Sequence, residues 1–208
     1  MNYAAVNRVW QSSTLFVAPL LVVLLVWYRD DLSVYQWLLC LHLPLLMFHE
    51  AEEYVLAPLS FKQFFNLKSP FGSKTDPDFP LDDAYVFQVN IVIAYPAIIL
   101  GAILANVAPW LGFSMIWFEL IINNAMHTIL FQPRKPMYNP GLITNSFVLL
   151  PFGMVTLLVA TGFFSWLDWA LSIALGVGLS AALGMKTRGR LAQLKTTPAQ
   201  EAEAAERA

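Results

Sequence analysis

Again and again along its 208 residues this chain runs for about twenty positions with scarcely a charge, and that length limits the fold more than any motif does. Inside hydrocarbon each backbone N–H and C=O must be satisfied within the protein, and a helix meets that demand within one segment. A spanning helix needs ~20 mostly apolar residues. The chain divides into six such segments: Trp10 to Tyr28, Val34 to Leu56, Tyr85 to Val107, Trp110 to Phe131, Leu142 to Phe164 and Trp166 to Met185. The expected fold class is all-α, a polytopic membrane helix bundle of six transmembrane helices. It forms a single domain over residues 1–185, followed by a polar tail, 186–208, read as a frayed helix or disordered. Composition agrees, since 58% of residues are hydrophobic and only 12% charged, about half the charge of an ordinary soluble domain. Trp10, Tyr28, Trp110, Trp166 and Trp169 lie at segment ends, where membrane interfaces collect aromatic rings.

Orientation follows from the basic residues. Of the 12 Lys and Arg, only Arg29 falls on one side of the six-helix arrangement. Arg8, Lys62, Lys68, Lys74, Arg134, Lys135, Lys186, Arg188, Arg190, Lys195 and Arg207 fall on the other. By the positive-inside rule both termini are expected on the cytoplasmic side of a cell membrane. The first apolar run ends in Val26-Trp27-Tyr28-Arg29 rather than small residues, so no cleavable signal is read there. The lone Cys40 cannot form an intrachain disulfide.

One connection is long. From Ala57 to Ala84 it carries Phe61, Phe64, Phe65, Phe71 and Phe79 among lysines and prolines, a composition suited to the headgroup level, as an inert interfacial loop or a lid over a lateral opening. In the last segment Gly176, Ser180 and Gly184 repeat at four-residue spacing. Such a face lets helices approach closely, within the chain or in a homodimer.

The chemistry concentrates in His49-Glu50-Ala51-Glu52-Glu53, at the end of the second segment. Ionisable groups in lipid each cost ~2.5 to 3.5 kcal/mol at a helix centre on insertion scales, so they face a protein interior or wet cavity and mark a site. At about 100° per residue, His42, His49 and Glu53 fall within about 40° of one another, Glu52 lies about 60° to the side and Glu50 about 100° away, toward the interface. On the fourth segment Glu119, Asn123 and His127 repeat every four residues as one polar stripe. The two segments run in the same direction, which sets His49 and His127 at similar depth, with Glu119 ~12 Å deeper. Asn90 and Asn145 begin the third and fifth segments on the same side and are expected to bond neighbouring helices. No Lys or Arg occurs in segments two and four, so compensating charge must come from a metal ion, protonated histidines, or protons on the carboxylates.

His49-x-x-Glu52-Glu53, Asn123-x-x-x-His127 and Tyr138-x-Pro140-Gly141 together resemble, in order, the signatures of the HXXEE family of multi-pass membrane proteins. That resemblance covers roughly Val34 to Gly141 and implies catalysis at these motifs without naming a reaction. It also implies a role for Tyr138, Pro140 and Gly141, which residue patterning reads only as a turn.

The catalytic set expected from this reading is His49, Glu52, Glu53, Glu119, Asn123, His127 and Tyr138. The candidate metal ligands within it are His49, Glu52, Glu53, Glu119 and His127, a mixed nitrogen and oxygen shell suited to zinc or iron. The alternative is metal-free acid–base chemistry, an isomerase or cyclase acting on an isoprenoid or sterol-like lipid. A proton or cation relay, or an accessory subunit of a membrane complex, are the remaining classes. The expected partners are a hydrophobic or lipid-like substrate and membrane lipids, with no nucleic acid.

Overall fold

The computed structural model describes the backbone of residues 1–131 and 138–206 and, within these, the side chains outside 125–126, 128–131 and 194–206. Arg134, Lys135 and Arg207 of the charge asymmetry therefore lie outside the described residues, as does the Lys195 side chain. The described chain is all-α, without a strand. Helix α1 covers Tyr3–Trp27. Helix α2, Val34–Ala51, starts where the Ser33 side chain accepts the Gln36 N–H, and passes into a wider π-helical turn over Glu52–Leu56. The short α3, Phe61–Lys68, lies in the long connection. Helix α4, Asp83–Phe87, continues through a π-helical stretch, Gln88–Ala94, into α5, Tyr95–Ile103. Helix α6, Pro109–Glu119, likewise widens into a π-helical run over Leu120–Phe131. A single turn, α7, Leu142–Thr144, leads through π-helical Asn145–Leu149 into α8, Leu150–Ala160. Helix α9 runs from Trp166 to Glu206, well past Met185 where its apolar stretch ends.

The distribution of polarity is the reverse of that in a water-soluble domain. Phe16, Val23, Ile103, Phe147, Leu158 and Trp166 face outward, while His42, His49, Glu50, Glu119, His127 and Asn145 are buried. Among the described residues four helical stretches are long and apolar enough to cross a membrane: Tyr3–Trp27, Asp83–Ile103, Leu142–Ala160 and Trp166–Gln193. The stretch from α2 to Leu56 and that from α6 to Phe131 are not among them, and they are the two that carry the buried histidines and glutamates. Helix α2 packs against α1, α5 and α8, and α6 packs against α5 and α9. The polar helices thus sit inside a jacket of apolar ones, the arrangement that hydrocarbon surroundings favour.

Close approach between elements is set by glycine. A Cβ on Gly101 would lie 2.5 Å from the Gly112 Cα, and one on Gly112 would lie 2.4 Å from Leu39 Cδ1. These glycines bring α5, α6 and α2 together around the apolar cluster of Leu39, Phe113, Ile116 and Phe152. Gly176 does the same for α9, its missing side chain facing Trp117 Cβ at 2.5 Å, whereas nothing lies within 4 Å of a Cβ at Gly184. Of the small-residue face on α9, Gly176 is therefore engaged inside the chain.

The aromatic connection is a folded strap. Asn66, fully buried, donates to the carbonyls of Pro77 and Leu81, each at 2.8 Å, and accepts the Leu81 N–H at 3.0 Å. Lys62 Nζ bridges Asp78 and Asp83 at 2.6 and 2.9 Å. Burial alone would lower the Lys62 pKa, but the two carboxylates outweigh it and hold the ammonium above its ordinary value. Phe64 and Phe65 turn inward against Leu81 and Tyr85, so the strap is more than an inert interfacial loop.

Gly112→Val is expected to lower stability in detergent by roughly 1–3 kcal/mol, the usual cost of overpacking, while Gly184→Ala leaves it unchanged. Thermal unfolding of both variants checks this, and equal midpoints for the two would contradict the glycine contact between α5 and α6.

Candidate functional site

The site forms where the wide helical turns meet. A π-helical turn carries an i→i+5 bond and shifts everything after it out of α-helical register, and such turns recur at functional sites. Here they occur at Glu52–Leu56, Gln88–Ala94, Leu120–Phe131 and Asn145–Leu149. Those stretches contain Glu52, Glu53, Asn90, Asn123, Asn124, His127 and Asn145.

At the centre, Glu53 Oε1 lies 3.3 Å from His49 Nε2 and 3.3 Å from His127 Nε2. One donor atom from each of the three residues falls within 4.8 Å of the others, and all three residues are buried. Each imidazole is held from its far side. His49 Nδ1 is 2.9 Å from Thr144 Oγ1, whose hydrogen is directed to Glu52 Oε2 at 2.6 Å. The threonine oxygen is then the acceptor and His49 Nδ1 the donor. His127 Nδ1 is 2.6 Å from Asn139 Oδ1, while Asn139 Nδ2 donates to the His127 carbonyl at 3.0 Å. That second bond orients the amide and makes His127 Nδ1 a donor as well. The hydrogen-bond network therefore assigns the Nδ1–H tautomer to both rings and turns both Nε2 atoms toward Glu53. In neutral imidazoles these are lone pairs facing a carboxylate, an arrangement that requires positive charge between them.

Glu52 belongs to a different piece of the same design. It accepts from the backbone N–H of Ile143 at 3.1 Å and of Thr144 at 2.6 Å, from the Thr144 hydroxyl at 2.6 Å and from the Tyr138 hydroxyl at 2.6 Å. Ile143 and Thr144 are in the first turn of the helix that begins at Leu142, and Gly141 before them has no side chain to cap it. Glu52 supplies the cap from another helix, as an anion at the positive end of the helix dipole. Its charge is thereby compensated by backbone amides, without Lys or Arg.

Gly141 closes the arrangement. Its φ is 89°, in the left-handed region, and a Cβ there would meet His49 Cε1 at 2.6 Å, Glu53 Cγ at 2.9 Å and His127 Cε1 at 3.0 Å. Only glycine combines that backbone conformation with that contact. The His-x-x-Glu-Glu, Asn-x-x-x-His and Tyr-x-Pro-Gly motifs thus converge within a few ångströms.

A cavity of about 460 Å³ opens beside this centre, within the range of small-molecule sites. Its polar end includes His49, Glu50, Glu53, Asn90, Glu119 and Asn123, and its walls are apolar, with Leu46, Phe61, Phe65, Phe118 and Ile122 among them. The ring of Phe61, in the strap, also lies tilted against that of His127, with centroids 5.3 Å apart. Glu119 is not part of the triad; it accepts a hydrogen bond from Asn123 Nδ2 within the cavity wall. Glu50 departs from its expected place at the interface: it is 1% exposed and accepts a bond from the Tyr95 hydroxyl. The reason is that α1 and α5 cover that flank of α2, so the direction away from His49 leads to a neighbouring helix and not to lipid headgroups. Among the described residues Glu50 Oε1 has no hydrogen-bond partner.

Of the predicted set, then, the structure brings His49, Glu53 and His127 together, places Glu119 and Asn123 as a pair on the cavity wall, and sets Glu52 and Tyr138 in the capping network. Tyr138 itself is 40% exposed, with only its hydroxyl directed inward. His42 is apart from the cavity, its ring 5.5 Å from Phe152. Asn145 donates to Asn124 at 3.1 Å and joins the π-helical stretches before and after the turn. Sequence reasoning missed Asn139, Thr144, Tyr95 and the packing of Phe61. For Asn139 and Thr144 a signal existed, since both flank the Pro140-Gly141 turn.

A protein-family model described as "Protein of unknown function with HXXEE motif" matches residues 37–156, more than half of the chain. No curated protein and no solved structure matches.

Gly141→Ala is expected to destabilise the protein by roughly 1–3 kcal/mol, combining a strained φ with a Cβ forced onto both imidazoles. Glu52→Ala should cost about 0.5–2 kcal/mol as a lost helix cap, and Glu52→Gln less, because the amide oxygen still accepts. Unfolding midpoints in detergent test the series. A Glu52→Ala variant as stable as the parent would remove the capping role.

Proposed function

The chain belongs to the HXXEE family, and because no activity comes with that membership, we propose a function from the site: an integral membrane enzyme that carries out metal-assisted chemistry on a hydrophobic or lipid-like substrate. The observation that supports this reading is the single Glu53 oxygen at 3.3 Å from both Nε2 atoms. A tetrahedral ion with ligand bonds of ~2.0–2.1 Å has ligand–ligand edges of about 3.3 Å. Two histidines and one glutamate are also a ligand set of catalytic zinc sites, which keep a further position open to water or substrate. Thr144 Oγ1 and Asn139 Oδ1, which accept from the Nδ1 atoms behind the rings, are the kind of acceptor that fixes the tautomer and orientation of metal-binding imidazoles. Glu52 and Glu119 take other partners and are not ligands in this reading.

A bound zinc or iron would supply Lewis acidity or an activated water at the cavity's polar end. His49 and His127 would hold it through Nε2, and Glu53 through a carboxylate oxygen. Glu119, steadied by Asn123, and Glu50, steadied by Tyr95, face the same space and can accept or deliver a proton there. The apolar walls exclude water and accommodate the body of a lipid. In this arrangement six helical stretches cross a cell membrane with both termini cytoplasmic, so the cavity is reached from the cytoplasmic half.

A second reading is metal-free acid–base catalysis, an isomerase or cyclase on an isoprenoid or sterol-like lipid. It is supported by the two cavity carboxyls just named, each bonded by a neutral donor rather than a cation.

Elemental analysis of detergent-purified protein, prepared without chelating resin, separates the two. Near-stoichiometric zinc or iron is expected, lost in His49→Ala, His127→Ala and Glu53→Gln and retained in Glu52→Gln and Glu50→Gln. A folded parent that binds neither metal after both are added would overturn the first reading in favour of the second.

A further inference from the structure

The cavity has chemically opposite ends. Its inner end carries the carboxyls of Glu50, Glu53 and Glu119, and its other end reaches α9 at Gly184, Thr187 and Arg188. Arg188 is the one cation among the lining residues. Its basic neighbours on α9 are engaged elsewhere. Lys186 donates to Gln88 at 3.0 Å and lies 5.0 Å from the Tyr85 ring. Arg190 pairs with Asp82 and lies over the Phe79 and Tyr85 rings. Arg188, exposed, forms no hydrogen bond or ion pair among the described residues. Beside it, one helical turn away, Gly184 leaves open space where a side chain would stand.

Resting on the reading of this cavity as a substrate site, we propose that its ligand is a single-chain amphiphile with an anionic head, phosphate or carboxylate. The head is held by Arg188 at the rim, and the apolar body passes Gly184 and Phe65 toward Glu53. The orientation follows from charge. Arg188 is the one cationic side chain of the lining, whereas Glu50 and Glu119 stand at the inner end beyond any ion held by the triad, so an anionic head is better placed at Arg188. A cationic head would be drawn to the carboxyls and would leave Arg188 unused, and a neutral head gains less from a guanidinium than an oxyanion does. Arginine suits either oxyanion, because its planar fork donates two parallel N–H bonds. The reacting bond of such a ligand is then located in its chain or at its tail end, away from the charged head.

The test titrates the full-length protein in a neutral detergent with laurate, dodecyl phosphate, dodecanol, dodecyltrimethylammonium and inorganic phosphate, reading the thermal unfolding midpoint. Laurate, dodecyl phosphate or both should raise the midpoint, and the neutral chain, the cationic chain and free phosphate should not. Arg188→Gln should weaken the anionic-chain effect at least tenfold without moving the ligand-free midpoint. Gly184→Leu should weaken it by closing the passage. Dodecanol or the cationic chain acting as strongly as laurate, inorganic phosphate reproducing the shift, or Arg188→Gln leaving it intact would each overturn the proposal. The metal content of the same preparations is read separately, so failure here with metal bound rejects the ligand class alone, and anionic-chain binding without metal rejects only the metal reading.

Discussion

A carboxylate placed between two imidazoles, deep in a bundle jacketed by apolar helices, must be compensated where it stands, because neither helix that carries these groups contains a Lys or Arg. Glu53 imposes that condition on its surroundings. Both rings must present Nε2 to it, so both Nδ1 atoms need acceptors behind them, and Thr144 and Asn139 fill those places. Thr144 can accept only because its own hydrogen is directed to Glu52. Glu52 in turn remains compatible with burial because the first turn after Gly141 gives it backbone amides. Behind the two rings each polar group is satisfied by the next, whereas in front of them the two Nε2 atoms face Glu53.

The same dependence explains where the helices depart from regular geometry. The π-helical turns occur on four helical stretches, and each carries residues of this network or of its immediate flank. Regular α-helices, by contrast, carry the apolar contacts around Leu39, Phe113 and Phe152 and the glycine crossings that set helix spacing. The bundle is therefore regular where packing is uniform and irregular where several side chains must aim at one point.

Much of this was legible in the sequence because hydrocarbon thickness imposes a length, and apolar runs of that length recur between Val34 and Met185. The pairing of His49 with Glu53 followed from four-residue spacing, as did that of Glu119 with Asn123. What could not be read depended on register and on neighbours. Glu50 was assigned to the interface from its angle on an isolated helix, but α5 stands in that direction and offers Tyr95. Glu52 had the chemistry of a ligand, yet the turn at Gly141 takes it as a cap, a relation between residues 92 positions apart. The helix after Met185 continues because Ala, Leu, Glu and Lys favour it, although nothing apolar periodically marks it.

Gly141 faces the triad with backbone alone, so on that side the donor atoms see a peptide plane whatever the rest of the chain contains. Exchanging side chains cannot retune that wall. Other boundaries of the cavity are made of Phe61, Phe65 and the α9 residues, where size and polarity can be altered one position at a time. Under the proposed function, reactivity and selectivity are thus housed in separate parts of the polypeptide, and a lineage of such chains could diverge in what it admits while keeping the centre around Glu53 as it is.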